Sequence, residues 1–320
     1  MIKRIGVITS GGDAPGMNAA IRSVVRYAAH NKIEVMGIFR GYAGLINEEL
    51  KLLDHRSVSN IINRGGTILK TARCEEFMTK EGRERAAKVI KNNKIDGLVL
   101  IGGDGTYRGG IALEEEWRIP CIGVAATIDN DLNGTDSTIG SDTAVNTALE
   151  AIDKIRDTAT SMERIFVVEV MGRESGFIAL QVAVGGGAEE VLLPEKKFDF
   201  ETMCHEIVEG NIRGKVSWII IVAEGAAKAA DIAKRITEMT NLETREVVLG
   251  HIQRGGTPTA RDRILATRLG AEAVALLIKG QSSKAVGIIS DDINIVDLKF
   301  AVTKKDLKPD ILYQLIKILT

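Results

Sequence analysis

Gly97-Leu98-Val99-Leu100-Ile101-Gly102-Gly103-Asp104-Gly105-Thr106 joins an unbroken apolar run to a glycine loop carrying a carboxylate and a hydroxyl. An apolar run without polar alternation reads as a strand covered on both faces, the habit of parallel sheets. The same grammar recurs along the chain. Ile5-Gly6-Val7-Ile8 runs into Ser10-Gly11-Gly12-Asp13, and Ile122 to Ala125 precedes Thr127-Ile128-Asp129-Asn130-Asp131. Phe166 to Val170 precedes Met171-Gly172-Arg173, and Trp218 to Val222 precedes Glu224-Gly225. Helical stripes lie between these runs: Met17, Ala20, Ile21, Val24, Val25 and Ala28; then Val145, Ala148, Leu149, Ile152 and Ile155. A third stripe takes Ile264, Leu265, Leu269, Ala273, Leu276 and Leu277, stopped by Gly280. Strands alternating with helices predict an α/β fold with mainly parallel sheets flanked by helices. In such sheets ligands bind beyond the carboxyl ends of the strands, and each of these polar clusters falls there.

The chain has 320 residues, enough for about two domains. Its five prolines and the lack of a low-complexity linker predict two intertwined domains, with the chain crossing more than once. Lys and Arg (42) nearly balance Asp and Glu (43), so no global charge draws the chain to nucleic acid or to an anionic membrane. No apolar run approaches the roughly 20 residues of a membrane span, and the N-terminus lacks the apolar core of a signal peptide. Cys74, Cys121 and Cys204 have no metal-ligand spacing, and their odd number argues against a disulfide framework. The expected compartment is the cytoplasm.

Glycines between a strand and a helix let backbone N–H groups approach phosphate oxygens at the positive end of the helix. Gly11-Gly12-Asp13 has this form, as does any tight strand-to-helix turn. In Gly102-Gly103-Asp104-Gly105-Thr106 the acid within the glycines suits Mg²⁺ held against phosphates. Neither loop is a Walker A sequence, and no Rossmann fingerprint is present. Thr127, Asp129 and Asp131 sit at alternate positions, and in an extended segment they would face one side. Such groups suit a site where an alcohol loses its proton to a carboxylate while phosphate is transferred; a solvated acidic loop is the other reading. Arg73, Arg164, Arg173 and the pair His251 and Arg254 could supply positive charge to a moving phosphoryl group, arginine's planar fork suiting phosphate better than a lysine.

Taken together, Thr9-Ser10-Gly11-Gly12-Asp13-Ala14-Pro15-Gly16-Met17-Asn18, Gly102-Gly103-Asp104-Gly105, Thr127-Ile128-Asp129-Asn130-Asp131, Met171-Gly172-Arg173, Ala223-Glu224-Gly225 and Gly250-His251-Ile252-Gln253-Arg254-Gly255-Gly256 closely resemble the bacterial 6-phosphofructokinase family. The resemblance runs from the first strand to about residue 290. It implies an ATP- and Mg²⁺-dependent kinase that phosphorylates the 1-hydroxyl of fructose 6-phosphate, the committed step of glycolysis. Asp129 would take the proton of that hydroxyl, with Thr127 and Asp131 beside it, and Asp104 would serve the Mg²⁺. Gly12, Arg73 and Arg173 would stabilise the transferring group. ATP would lie along Gly12, Tyr42, Arg73, Cys74, Asp104, Gly105 and Thr106. Fructose 6-phosphate would meet Thr127, Asp129, Met171, Gly172 and Arg173, together with Glu224, His251 and Arg254. Arg164 and Arg245 would reach over from a neighbouring subunit, which implies a homotetramer. The implied division is 1–140 with 253–303 as a larger ATP- and Mg²⁺-binding domain, and 141–252 with 304–320 as a smaller sugar-phosphate domain.

Relatives that use pyrophosphate carry Asp where this chain has Gly105 and Lys where it has Ala126. Gly105 is therefore the ATP-type residue, and Ala126 adds a methyl group to the ATP type's glycine. Arg22 and Arg26, four apart, share a helical face. With Arg156, placed at a helix end, and Arg213 and Lys215 in a turn, they match residues that bind allosteric ADP or phosphoenolpyruvate, assisted by Gly187 and Glu189. Asn60 stands where relatives often have an acid. Two other readings remain open on residues alone: the pyrophosphate-dependent enzyme, and a nucleotide-sensing binding protein on the same scaffold. Asp129 and Arg173 argue against the sensor, which needs neither a base nor a charge-stabilising arginine.

Overall fold

The computed structural model describes residues 2–320, which divide into two compact units. Of the described residues, the first takes 2–143 and Arg254–Lys305, the second Ala144–Gln253 and Asp306–Thr320.

The first unit begins β1 (Arg4–Thr9), α1 (Met17–His30), β2 (Glu34–Ile38), α2 (Gly41–Ile46), β3 (Leu50–Leu53) and α3 (Lys80–Asn92). It continues β4 (Gly97–Gly102), α4 (Asp104–Trp117) and β5 (Cys121–Ala125), and α5 (Ser141–Met162) leads into the second unit. The second unit holds β6 (Ile165–Val170), α6 (Phe177–Gly185), β7 (Glu190–Leu192), α7 (Phe200–Ile212), β8 (Trp218–Ala223), α8 (Ala229–Thr240) and β9 (Thr244–Val248). The chain then returns to the first for α9 (Ala260–Ile278), β10 (Lys284–Ile289), β11 (Asp292–Asp297) and α10 (Leu298–Ala301), and ends with α11 (Asp310–Leu319) in the second.

The first unit's sheet has the order β11-β10-β5-β4-β1-β2-β3, parallel except for its antiparallel edges β3 and β11. From β1 the chain steps to β2 on one side, whereas β4 lies on the other. The loops after β1 and β4 therefore flank the switch point where an open α/β sheet leaves a crevice for ligands. Buried apolar side chains cover both sheet faces. Leu277 of α9 packs over Gly97, whereas Leu100, of opposite parity on the same strand, meets α4 at Gly110. The α1 stripe read from sequence is fully buried, about 1.5–3 kcal/mol for each large apolar side chain. Gly270 lets α9 approach α1, because a Cβ there would stand 2.9 Å from the Ala20 carbonyl oxygen. In the α9 stripe one expectation fails: Ile264 is 60% exposed, and the buried positions begin with Asp262 and Leu265.

The second unit's sheet, β7-β8-β6-β9, is wholly parallel. Its core joins Ile165, Val167, Ile220 and Val222 to Phe200, Met203 and Ile207 of α7 and to Ile232 and Ile236 of α8. Arg156 lies inside α5 and not at its end, because the helix runs on to Met162.

Candidate active site

Three adjacent parallel strands, β5, β4 and β1, deliver the chemistry-bearing loops to one edge of the first unit. After β1 the backbone turns through Gly11 in a left-handed conformation (φ 82°). Gly12 follows against Arg254, where a Cβ would stand 2.4 Å from Nη1. That Nη1 donates to the Asp13 carbonyl at 3.1 Å, so Arg254 brings a cation onto the first glycine loop across 241 residues of chain. The resemblance assigns this side chain to the sugar phosphate, and the bond to Asp13 is compatible with that assignment.

After β4, Asp104 and Gly105 form the first turn of α4. The Asp104 carboxylate is partly exposed, 3.7 Å from Arg108 Nε. Gly105 is exposed, and a Cβ there would meet nothing within 4 Å. Neither protein packing nor left-handed backbone demands glycine at this position, so the space it leaves is open to a ligand. Thr106 is turned inward: its Oγ1 donates to the Ser10 carbonyl at 2.9 Å, and its own carbonyl accepts the Tyr42 hydroxyl at 2.5 Å. Tyr42 is buried, stacked on Phe77 with centroids 4.0 Å apart, and burial holds its hydroxyl well above the usual tyrosine range. Both side chains thus brace the glycine loops from behind, leaving the backbone of the loop for a ligand. Arg73 and half-buried Cys74 lie in the loop before the short turn Glu76–Met78, with Arg73 exposed. This loop is drawn toward β1 by Thr9, whose Oγ1 donates to the Lys70 carbonyl at 2.9 Å.

After β5, the backbone does not stay extended. Ala126 pairs with Ile139, and residues 128 and 129 form a turn closed by Asn130 in a left-handed conformation (φ 48°). The alternation expected to turn Thr127, Asp129 and Asp131 to one side is therefore absent. Asn tolerates the left-handed region better than most residues, and that lets the chain fold back here. Thr127 Oγ1 accepts the Asp129 backbone N–H at 3.2 Å, and the Thr127 carbonyl accepts Thr138 Oγ1 at 2.5 Å. Asp129 is 2% exposed. A Cβ on Gly103 would stand 3.5 Å from Thr127 Cβ, so the loop bearing Asp104 passes close beside the turn bearing Asp129. Ala126, almost fully buried, donates its N–H to Gly102 at 3.1 Å and joins the two loops again.

Sequence reading missed Asp262. It is fully buried on α9 and accepts from the backbone N–H groups of Gly140 and Thr143 at 2.8 Å each, and from Thr143 Oγ1 at 2.5 Å. It thereby supplies the acceptor that the N-terminus of α5 lacks on its own. Burial pushes its carboxyl up, against the pull of these bonds. Thr259 and Asp262 do have capping-box spacing, with Thr259 Oγ1 accepting the Asp262 N–H at 3.2 Å. That pattern would have assigned Asp262 to its own helix rather than to α5.

In the second unit, Met171, Gly172, Arg173 and Glu224 gather at the carboxyl ends of β6 and β8. Glu224 Oε1 accepts the N–H of Gly172 at 3.1 Å and of Arg173 at 2.8 Å. Arg173 is exposed and left-handed (φ 53°), which costs a non-glycine residue of the order of 1 kcal/mol unless its surroundings impose it. Arg164 and Arg245 lie at the opposite, amino ends of β6 and β9, both ion-paired to Glu243, Arg164 at 2.9 Å. Burial raises the Glu243 carboxyl, but the two arginines outweigh it and leave the group below its usual range. His251 is exposed in the short turn Gly250–Arg254.

Of the expected effector residues, the second unit brings four together. Arg156 Nη2 donates to the carbonyls of Gly186 and Gly187 at 2.7 Å each, and Glu189 lies 3.8 Å from Arg156 and 3.6 Å from Lys215. Arg213 pairs instead with Glu209 at 2.8 Å. Arg22 and Arg26 share one face of α1 in the first unit, where burial and then Arg26 lower the Arg22 guanidinium. Asn60 is exposed in a left-handed turn (φ 55°).

Glycine loops at a switch point, joined to a carboxylate turn on the next strand, define an α/β phosphoryl-transfer protein. A family profile described as Phosphofructokinase matches residues 4–277. The ATP-dependent 6-phosphofructokinase of Halothermothrix orenii is 53% identical over 332 residues, covering 100% of both chains, and that of Bacillus velezensis is 54% identical over 317 residues, covering 99% of both. The solved phosphofructokinase of Saccharomyces cerevisiae superposes with a TM-score of 0.89 at 37% identity over 94% of this chain, which spans 45% of that longer one. The chain belongs to the phosphofructokinase family. A pyrophosphate-dependent phosphofructokinase from Nitrosospira multiformis, 22% identical over 99% of this chain and 91% of its own, superposes with a TM-score of 0.85. The fold therefore does not by itself select the phosphoryl donor. Among the described residues no helix is long and apolar enough to cross a membrane.

Proposed function

We propose that the chain transfers the γ-phosphoryl group of ATP to the 1-hydroxyl of fructose 6-phosphate, giving fructose 1,6-bisphosphate and ADP in glycolysis. The observation that carries this reading is the hydrogen bond from the Ala126 N–H to the Gly102 carbonyl at 3.1 Å, which ties a phosphate-type glycine loop to a turn holding a buried carboxylate. Phosphoryl transfer asks for alignment of two oxygens and for charge stabilisation, more than for covalent help. Asp129 takes the proton of the attacking hydroxyl. Thr127 fixes the Asp129 backbone, and Asp131 lies beside it. Gly12 lines the donor's phosphate side, and with Arg73 and Arg173 it stabilises the moving group. Gly172 and Arg173, held by Glu224, receive the sugar phosphate with Met171, His251 and Arg254.

The donor reading rests on Gly105, where open space replaces a side chain that would stand against a nucleotide's phosphates. The residues present also fit Mg²⁺. Among the described residues no group of three or more His, Cys, Asp or Glu side chains forms a metal cage. Mg²⁺ is ordinarily held by one or two carboxylates together with substrate phosphates, and Asp104 is such a carboxylate at a glycine loop. Bound there, the ion would neutralise phosphate charge.

Arg164 and Arg245 stand a full strand length, roughly 20 Å, from Gly172 along β6. Their shared end of the sheet favours a role toward a neighbouring copy, as in a homotetramer with intersubunit sites. Arg156, Gly187, Glu189, Arg213 and Lys215 of the second unit, and Arg22 and Arg26 of the first, are the candidate residues for binding ADP or phosphoenolpyruvate as effectors. The cytoplasm is the proposed compartment.

The test is formation of fructose 1,6-bisphosphate from fructose 6-phosphate and Mg²⁺, with ATP and pyrophosphate in parallel. Turnover with ATP alone supports the reading, and turnover with pyrophosphate alone overturns the donor assignment.

A further inference from the structure

The chain beyond α10 runs as an irregular segment, residues 302–305, before it leaves the first unit. It is fastened to the stretch that follows the carboxylate turn. The Asn133 N–H donates to the Ala301 carbonyl at 3.0 Å. Asn133 Nδ2 lies 2.8 Å from the Thr303 carbonyl, 2.7 Å from Thr303 Oγ1 and 3.1 Å from the Lys304 carbonyl. Lys305 then turns inward, its Nζ donating to Asn130 Oδ1 at 3.2 Å and to the Thr135 carbonyl at 2.8 Å. Asn130 is the left-handed residue that closes the turn bearing Asp129, and its Nδ2 donates across the loop to the Asp136 carbonyl at 2.9 Å. One ammonium thus joins the two ends of the loop 130–136 and fixes the side chain of the residue on which the turn depends.

The surroundings of Lys305 fit this task. Burial disfavours its charge, while Asp136 and Asp131 favour it, with burial the larger effect. A lysine serving only as surface charge has no reason to give up water in this way. Its acceptors, an amide oxygen and a carbonyl, are fixed by the loop itself, so the loop cannot open without leaving a part-buried ammonium short of partners.

We propose that Lys305, presented by the segment after α10, is a positioning residue for phosphoryl transfer that holds the turn of Thr127, Asp129 and Asp131 in its reactive conformation. The inference rests on the reading of Asp129 as the base. Lys305 itself touches no substrate. A displacement of about 1 Å at a reacting group costs on the order of a hundredfold in rate. Loss of the clamp therefore acts on turnover and leaves the binding of either substrate largely alone.

The test compares Lys305→Met, Lys305→Arg and the exposed neighbour Lys304→Met in steady-state kinetics, with thermal midpoints and with Asp129→Ser alongside. The expected result for Lys305→Met is a fall in kcat of roughly 10- to 100-fold with both KM values within about twofold. Lys305→Arg, which keeps a donor of sufficient reach, restores most of the loss, and Lys304→Met behaves as wild type. Should Lys305→Met fold poorly, Thr303→Val removes one hydroxyl of the clamp and should lower kcat in the same direction by a smaller factor. An unchanged kcat in Lys305→Met, or a fall that Lys305→Arg does not recover, overturns the proposal. Full turnover by Asp129→Ser would instead overturn the assignment of the base, a separate outcome read from a separate variant.

Discussion

Two adjacent N–H groups of the loop carrying Arg173 converge on one carboxylate oxygen, and removing that oxygen should be felt in the rate. Glu224 Oε1 accepts two adjacent N–H groups, at 3.1 and 2.8 Å, while Arg173 keeps a left-handed backbone. Bonds to a charged acceptor contribute about 1.5–3 kcal/mol each. The Arg173 end is exposed, so water recovers part of this when the carboxylate is lost. A net loss of about 2–3 kcal/mol exceeds the order of 1 kcal/mol that favours Arg173 leaving the left-handed region. Glu224→Ala should therefore release the loop, and at 1.36 kcal/mol per decade kcat should fall about 30- to 150-fold. Gly225→Ala approaches the same lesion with the carboxylate intact, because its Cβ would stand 2.0 Å from the Arg173 carbonyl oxygen and push the loop away. Initial rates across fructose 6-phosphate concentrations, with thermal midpoints as a control, measure both. If both variants keep kcat within about threefold of wild type, the reasoning is refuted. If Glu224→Ala alone is slow, the carboxylate acts on substrate directly and not through the loop.

Three further outcomes follow from the same geometry. Gly105→Asp should leave the thermal midpoint unchanged, since its Cβ meets nothing, yet lower ATP turnover at least about a hundredfold. Like charges about 4 Å apart repel by roughly 4 kcal/mol at an effective dielectric near 20. Tyr42→Phe deprives the Thr106 carbonyl of its donor and should cost about 1–2 kcal/mol, read as a severalfold rise in the KM for ATP with kcat changed less. Asp262→Asn presents an amide donor to donors and should destabilise the protein by roughly 2–4 kcal/mol. Because burial raises the folded-state pKa of Asp262, its pH-linked contribution is complete below the unfolded value near 3.9 and is lost as pH rises through the folded value. Unfolding midpoints from pH 4 to 7 should show that component in the wild type and not in the variant.

The central strands were legible because β1, β4, β5, β6 and β8 are buried on both faces and so read as apolar runs. Edge strands were not. Asp292–Asp297 and Thr244–Val248 alternate charge with apolar residues, and only their neighbours define them. At the candidate site, residue types carried more than residue spacing. Thr127, Asp129 and Asp131 were read as a group from an alternation that the left-handed Asn130 abolishes. Local pattern also says nothing of partners far along the chain. The meeting of Arg254 with Gly12, of Asp262 with α5, and of Lys305 with Asn130 all depend on the folded sheet. Thr106 shows the converse, a hydroxyl in a phosphate-type loop that is spent on Ser10.

The most direct test of the account is the single-turnover rate of Asp129→Ser with saturating ATP, Mg²⁺ and fructose 6-phosphate, beside the calorimetric affinity for each substrate. General-base catalysis is worth roughly 10²–10⁴ in rate, so turnover should fall within or beyond that range while both affinities stay within a few fold. Turnover close to wild type would contradict the account, since no other carboxylate is assigned the proton of the attacking hydroxyl.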